Sequence, residues 1–386
     1  MRVVMVVDAW DQPFNGTVVS TRRFAEALLA RGCSVRALAL VGREHPVPGV
    51  ELYECPRLSI PGVNGIMDSM RVVLARPQAD IVARALQGAD VVHVQFPLFL
   101  GSAAITEARR QGIPVVSSFH VQAENILRNL GLPTRGLAGG VYALMRRFIF
   151  SRSELVIAPS TFAERLVKTV GITQPTAVLS NGIPAGQLTA FRERRGLPQQ
   201  VRVLCVGRQA REKRYDIIID ALARVREPQR YSITFAGSGP AREQLEAQCL
   251  DLGVTARFIT PSDAELAALY ADADLFLHAG ESELEGMSVM QAMAAGVPTV
   301  VSDSQASAAG GLTTLESCRF EFPDPSDLAR KIDQLADEPA LVRRASVENA
   351  QAMAAFGHNA SVDRLLALYA QVAPKVALRG PIDEAA

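Results

Sequence analysis

The chain has 386 residues, 48% hydrophobic and 21% charged, an ordinary globular composition too long for one core and about right for two domains. Lys plus Arg and Asp plus Glu each number 40, so the formal net charge is zero, which argues against a general nucleic-acid binder. The five cysteines (Cys33, Cys55, Cys205, Cys249, Cys318) are scattered and never in a C-x-x-C spacing; they read as small buried hydrophobes of a reducing compartment, neither disulfides nor a metal site.

Residues 3–7, Val-Val-Met-Val-Val, predict a buried parallel strand by their β-branched content. The run is too short for a signal peptide and Asp8 stops it, while no stretch of the chain approaches the ~18–20 apolar residues of a bilayer span. A cytoplasmic protein is the expectation. A loop with Pro13, Asn15 and Gly16 leads to a helix whose apolar positions Val18, Phe24 and Leu28 have helical spacing, ending at Gly32. Strands follow at 35–40, 91–94, 115–119 and 155–158, alternating with helices. That alternation implies crossover connections and a parallel sheet covered on both faces.

The pattern restarts at 201–206, with a helix at 217–225 and further strands at 232–236, 256–259, 275–278 and 299–302. Between the two series, Asn181-Gly182-Ile183-Pro184 and a polar, arginine-rich stretch to Gln200 predict the domain boundary. The expected organisation is an N-terminal Rossmann-like domain at 1–185, a second at 186–358, and a C-terminal helix from 359 that returns to the first, with a frayed tail. Residues 1–185 carry 19 Lys and Arg against 13 Asp and Glu, and the remainder reverses that excess. Domains with different partners would produce such a split, and so would an accident of solvated surface.

The run ELEGMSVMQAMAAGVP at 283–298 follows the predicted 275–278 strand. It places an acidic side chain, a glycine turn and an amphipathic helix start in succession. A helix N-terminus leaves backbone N–H groups free, and phosphate oxygens bind there. The acid just upstream lies within reach of a sugar hydroxyl on the same ligand, so the combination points to a nucleotide-sugar site. Arg208 and Lys213 come just past another strand end, where open α/β sheets bind ligands, and two fixed cations there would stabilise a leaving diphosphate.

These segments resemble family 4 of the retaining glycosyltransferases, which have the GT-B fold. The residues that carry the resemblance are Val206-Gly207-Arg208 with Glu212-Lys213, Ala236-Gly237-Ser238-Gly239-Pro240 and the 283–298 block. In the first half they are Asn15-Gly16-Thr17, Asp90 to His93, and Ser117-Ser118-Phe119-His120. The resemblance implies an α/β architecture of two doubly wound parallel-sheet domains facing a cleft. It assigns Arg208 and Lys213 to the donor diphosphate, and Glu283 and His120 to the donor sugar. Gly16, Gly207, Gly237, Gly239, Ile259, Glu285, Gly286, Met287, Ser288, Val289 and Gln291 are the further donor-binding positions. Gln291 departs from the family, which has a glutamate there as the ribose ligand; the amide still donates and accepts hydrogen bonds but brings no charge. Glu285 either contributes to the site or is solvated.

Asn15, Thr17, His93, Arg146 and Arg147 fall on the acceptor side, His93 at a position that usually supports the site from behind. Residues 136–153 form a basic amphipathic pattern, with Val141, Leu144, Met145, Phe148 and Ile149 on one stripe. Packing on the sheet explains it, and so does rest on an anionic membrane; the apolar loop at 58–67 carries the same two readings. Asp272-Ala273-Asp274 looks like a metal-binding pair but closes a predicted helix just before a strand, and Gly237-Ser238-Gly239 lacks the third glycine of a dinucleotide fingerprint.

The expected activity is transfer of a hexose from a nucleoside diphosphate, a UDP-sugar favoured, to a hydroxyl acceptor with retention. No metal or other cofactor is expected, and the acceptor is a glycolipid, a polysaccharide precursor or a small glycoside. Two alternatives stand beside it: an epimerase or phosphorylase on the same fold, and a non-catalytic nucleotide-sugar binder.

Overall fold

In the computed structural model the described residues are 1–11, 16–40, 47–59, 73–129, 131–134, 136–184 and 191–374. Asn15, most of the 58–67 loop and the boundary expected at 185/186 lie outside them. The chain divides into two units, one of Met1–Ser180 with Ser361–Ala386, the other of Asn181–Ala360.

The first unit is built on strands β1 (Arg2–Ala9), β2 (Ser34–Leu40), β3 (Glu51–Glu54), β4 (Val91–Val94), β5 (Val115–Ser118), β6 (Leu155–Ala158) and β7 (Thr176–Val178). They form a parallel sheet in the order β3-β2-β1-β4-β5-β6-β7. Every residue of β1 after Arg2 is buried, as an apolar strand covered on both faces must be. Helices α1 (Gly16–Leu29), α2 (Ala79–Leu86), α3 (Phe99–Gln111), α4 (Ala123–Asn129), α5 (Ala138–Phe148) and α6 (Thr161–Thr169) make the crossovers. The predicted 136–153 helix is shorter than its apolar pattern: α5 stops at Phe148 and a 3-10 turn takes Phe150–Arg152.

In the second unit the parallel strands are β8 (Val201–Val206), β9 (Tyr231–Ala236), β10 (Ala256–Ile259), β11 (Leu275–His278), β13 (Thr299–Ser302) and β15 (Arg319–Phe320), in the order β10-β9-β8-β11-β13-β15. A separate parallel pair joins β12 (Ser282–Glu283) to β14 (Ala306–Ser307). The helices are α7 (Tyr215–Leu222), α8 (Arg242–Asp251), α9 (Asp263–Asp272), α10 (Met287–Ala294), α11 (Pro325–Asp337) and α12 (Pro339–Met353). Strand order reverses between β8 and β11. Open α/β sheets bind ligands at such a switch point, beyond the carboxyl ends of the strands.

The last helix, α13 (His358–Val372), sends Val362, Leu365, Leu368 and Tyr369 into the core of the first unit beside Val3, Met5 and Val7 of β1. Each fully buried Leu or Val there contributes about 1.5–3 kcal/mol relative to exposure.

The arginine-rich stretch read as a linker contains an anchor. Arg194 is buried, and its guanidinium donates to the carbonyls of Tyr270, Ala271, Ala273, Arg192 and Ala295. All but the Arg192 carbonyl cluster at the C-terminal ends of α9 and α10, where carbonyls lack intrahelical partners and the helix dipole is negative. One planar cation thus closes two helix ends at once. Its own backbone N–H donates to Ser346 Oγ of α12, tying a third helix to the same point.

Candidate donor site and its counterpart in the first unit

Two loops of the second unit flank the switch point. The one after β8 runs through Gly207, Arg208 and a 3-10 turn at Arg211–Lys213. Gly207 has φ 147°, and a Cβ there would lie 3.1 Å from the Tyr215 hydroxyl and 3.8 Å from Lys213 Nζ. Gly237 and Gly239 are required by this loop as well. A Cβ on Gly237 would strike the carbonyl of Gly207, and one on Gly239 the backbone of Gln209. The two glycine-bearing loops therefore cross in contact, pinned by Gln209 N–H to the Ser238 carbonyl at 3.0 Å. Gly237 N–H donates in turn to the carbonyl of Ile259 at the end of β10.

The second loop follows β11 and holds Glu283 by backbone pairing in β12. Lys213 Nζ forms an ion pair with Glu283 Oε1, each side chain 17% exposed. His278 Nε2 stands 3.3 Å from the same oxygen, and Gly280 N–H donates to His278 Nδ1 at 3.3 Å. Burial pushes the Glu283 carboxyl up, but the Lys213 charge and the His278 hydrogen bond outweigh it and hold the group at about 2. Three residues on, Gly286 with φ 86° opens α10, whose first turn has no side-chain cap among the described residues. The N–H groups of Met287, Ser288 and Val289 thus form an uncapped helix mouth next to Glu283. Arg208, partly exposed, belongs to the same loop as Lys213, five residues earlier.

Gln291 lies one turn into α10 and is buried, its Oε1 accepting from the Tyr270 hydroxyl at 3.0 Å. The same hydroxyl reaches the Ser288 carbonyl at 3.2 Å. Glu285 is not solvated. It is 7% exposed, and its two oxygens accept from the backbone and side-chain nitrogens of Asn181. The carboxylate is therefore a tether for the 181 loop, which His358 holds from its other side through the Asn181 carbonyl at 2.8 Å. Asp274 and Asp272 are both engaged by Arg202, Asp274 at 3.1 Å and Asp272 at 3.7 Å.

Two residues of this site carried no sequence signal. His278 sits in an apolar strand pattern and reveals its role only through Glu283. Tyr215 opens α7 as one more core aromatic, yet no described partner reaches its buried hydroxyl, which stands beside Gly207.

In the first unit, His120 follows β5, partly exposed, and burial lowers it to about 4, so the imidazole is neutral near pH 7. His93 is buried and spends both ring nitrogens inside the unit, on the Tyr369 hydroxyl at 2.7 Å and Ser118 Oγ at 2.8 Å. It supports the strand ends from behind and presents no nitrogen to an acceptor. Gly16 opens α1 with no described atom within 4 Å of where a Cβ would stand. Thr17 caps the first turn with its carbonyl, which accepts from Ser20 Oγ at 3.0 Å and Thr21 Oγ1 at 2.7 Å. Arg146 and Arg147 are exposed on α5.

Asp8, at the end of β1, is 3% exposed and accepts from Ala75 N–H at 3.2 Å; burial raises it to about 7. A folded value above the unfolded one (3.8) means that stability is greatest below about pH 4 and is lost as pH rises through 7. Asp8→Asn should remove that loss, worth at most about 4 kcal/mol at pH 8. Urea midpoints read by Trp10 fluorescence at pH 4 and pH 8 should differ less in the variant; equal pH slopes would contradict the assignment.

Residues 14–187 match the family model described as Glycosyltransferase Family 4, and residues 189–353 the model described as Glycosyl transferases group 1. A D-inositol 3-phosphate glycosyltransferase 1 of Catenulispora acidiphila is 30% identical over 72% of this chain and 72% of its own length. A GDP-mannose-dependent alpha-mannosyltransferase of Mycolicibacterium smegmatis is 26% identical over 79% of this chain and 80% of its own length. Among solved structures, a sucrose-phosphate synthase from Thermosynechococcus elongatus superposes with a TM-score of 0.75 at 17% identity, covering 96% of this chain and 98% of that one.

Proposed function

This chain belongs to glycosyltransferase family 4, with the GT-B fold, and we propose that it transfers a hexose from a nucleoside diphosphate to a hydroxyl acceptor with retention of anomeric configuration. The observation that carries the reading is the Lys213–Glu283 pair at the uncapped mouth of α10, on the switch point of the second unit's sheet. A diphosphate there would take the charge of Lys213 and Arg208 and the N–H groups of Met287, Ser288 and Val289, leaving Glu283 to accept from sugar hydroxyls. The acceptor oxygen attacks the anomeric carbon on the face the diphosphate leaves. The bond from that carbon to the phosphate oxygen breaks as the new bond forms, and the acceptor's proton passes to a phosphate oxygen. No side-chain base takes part, and the protein's own cations supply the charge compensation, so a chelator should leave the rate unchanged. His120 remains the proposed sugar contact of the first unit, and Gln291 the neutral ribose ligand.

UDP-hexoses are the first donors to test. GDP-hexoses are the second, because the mycobacterial relative is named for GDP-mannose. A screen of UDP-, GDP-, ADP- and TDP-sugars for slow hydrolysis needs no acceptor, and NMR of the released sugar gives its configuration. Release of the retained anomer from at least one donor is the expected result. An isomerised sugar still on its nucleotide would favour an epimerase, and binding without turnover a non-catalytic role.

We propose a lipid-linked acceptor, with the enzyme peripheral at the cytoplasmic face of an anionic membrane. No described helix is long and apolar enough to cross a membrane. The α5 region instead leaves Leu137 45%, Leu144 58% and Phe148 46% exposed beside Arg146 and Arg147, whereas packing on the sheet would have covered them. Vesicles with anionic lipid should sediment the protein, and Leu144→Asp with Phe148→Ser should reduce the bound fraction at least fivefold, each buried side chain adding roughly 1.5–3 kcal/mol. Equal sedimentation of both forms would point to a soluble saccharide acceptor.

A further inference from the structure

The Lys213–Glu283 pair poses a problem for the proposed donor site, because a diphosphate competes with Glu283 for the same ammonium. If Lys213 turned to phosphate and Glu283 had no second partner, the carboxylate would lose its orientation at the moment it is needed. His278 supplies that partner. The imidazole is 3% exposed, Nδ1 accepts the Gly280 N–H at 3.3 Å, and a nitrogen that accepts cannot carry the proton in the neutral ring. The proton therefore sits on Nε2, which points at Glu283 Oε1 from 3.3 Å.

Gly280 fixes the plane of this ring. A Cβ at that position would lie 2.5 Å from His278 Cε1 and 2.9 Å from Nε2, so any larger residue would push the imidazole off its present line to Glu283. The Gly280 carbonyl is itself held by Ser302 Oγ at 2.8 Å, and the Glu281 carbonyl by Ser304 Oγ at 2.6 Å. The chain thus runs from β13 through the 280 turn to the imidazole and on to the carboxylate, with every link a directed hydrogen bond.

We infer that His278 is a positioning residue. Its Nε2–H holds the Glu283 carboxylate while Lys213 is drawn toward the donor diphosphate, so that the pair can exchange partners without Glu283 moving. This rests on the proposed donor role of Lys213 and Glu283. The inference assigns no proton transfer to His278, only the fixed N–H.

The test compares His278→Leu, His278→Gln and Glu283→Gln in donor hydrolysis, with kcat and KM read separately and urea midpoints as controls. His278→Leu should lower kcat by roughly 10–100-fold with KM for the donor changed less than threefold, since misplacement of a contacting group acts mainly on the transition state. His278→Gln, whose Nε2 can take the place of the imidazole donor, should recover most of that loss. Equal kcat in the Leu and Gln variants, or no loss in either, overturns the inference while a large loss in Glu283→Gln leaves the donor-site reading standing. Full activity in Glu283→Gln overturns the donor-site reading itself. Should His278→Leu fail to fold, Gly280→Ala decides, because it displaces the ring and keeps it. A kcat drop of at least tenfold supports the inference, and an unchanged kcat refutes it.

Discussion

Lys213→Ala should lower turnover by about 10²–10³-fold, the range seen when one fixed donor to a developing negative charge is removed. The side chain is 17% exposed, engaged by Glu283 and carried on a 3-10 turn whose backbone is fixed by Lys213 N–H to the Ala210 carbonyl at 3.0 Å. The ammonium is therefore preorganised, and the loop does not depend on it. Lys213→Met, which keeps the aliphatic stem, should lose as much activity as the alanine variant, separating charge from packing. The stability cost should be largest near neutral pH, where the buried Glu283 carboxylate is left without its cation, and should shrink in acid. Glu283 is held at about 2 against an ordinary 4.5, so the stability it contributes is complete above about pH 4.5 and drains as pH falls toward 2. Removing Lys213 lets burial raise the carboxyl, so the variant should lose less stability than wild type as pH falls from about 4.5 to 2. Turnover within threefold of wild type in both variants would remove Lys213 from the mechanism.

Arg194→Ala should destabilise the second unit by roughly 3–5 kcal/mol, among the larger effects a single substitution produces. Five carbonyls would lose a donor, three of them in buried contacts, and each unpaired buried acceptor costs about 1–3 kcal/mol less whatever water recovers. Arg194→Lys should recover little. An ammonium has three donors and no planar fork, whereas four of the acceptors belong to two helix ends approached by one flat group. Because burial lowers Arg194 only to about 10, it remains a cation at neutral pH, suited to the negative ends of two helices. The chain's single tryptophan, Trp10, is buried in the first unit, so the loss should appear in far-UV circular dichroism at lower urea than in Trp10 fluorescence. Unshifted transitions in the alanine variant would show that water satisfies these carbonyls as well as arginine does.

Much of the fold was legible because buried parallel strands announce themselves. The 91–94, 155–158, 275–278 and 299–302 strands occur in the structure at their expected bounds, each a short, fully buried run between turn signals. The strands that escaped notice lack that signature. β3 begins and ends on Glu51 and Glu54 at a sheet edge, β7 spans three residues, and β12, β14 and β15 two each, defined only by their partners. Arg194 escaped because nothing in a polar stretch marks the one residue that a distant pair of helix ends will enclose. At the site, the strand–loop–helix grammar located Lys213, Glu283 and the α10 mouth. It could not tell that Glu285 holds Asn181 or that His93 bonds Tyr369, since both depend on partners 104 and 276 positions away in the chain.

The return of α13 to the first unit sets an order of events during synthesis. The N-terminal sheet emerges early, but its core stays open until Val362, Leu365, Leu368 and Tyr369 arrive, whereas Asn181–Ala360 is one uninterrupted stretch able to complete itself beforehand. On the ribosome, then, the half made second is the half that can finish first, and a nascent chain stalled before residue 361 would expose an incomplete β1 face to chaperones.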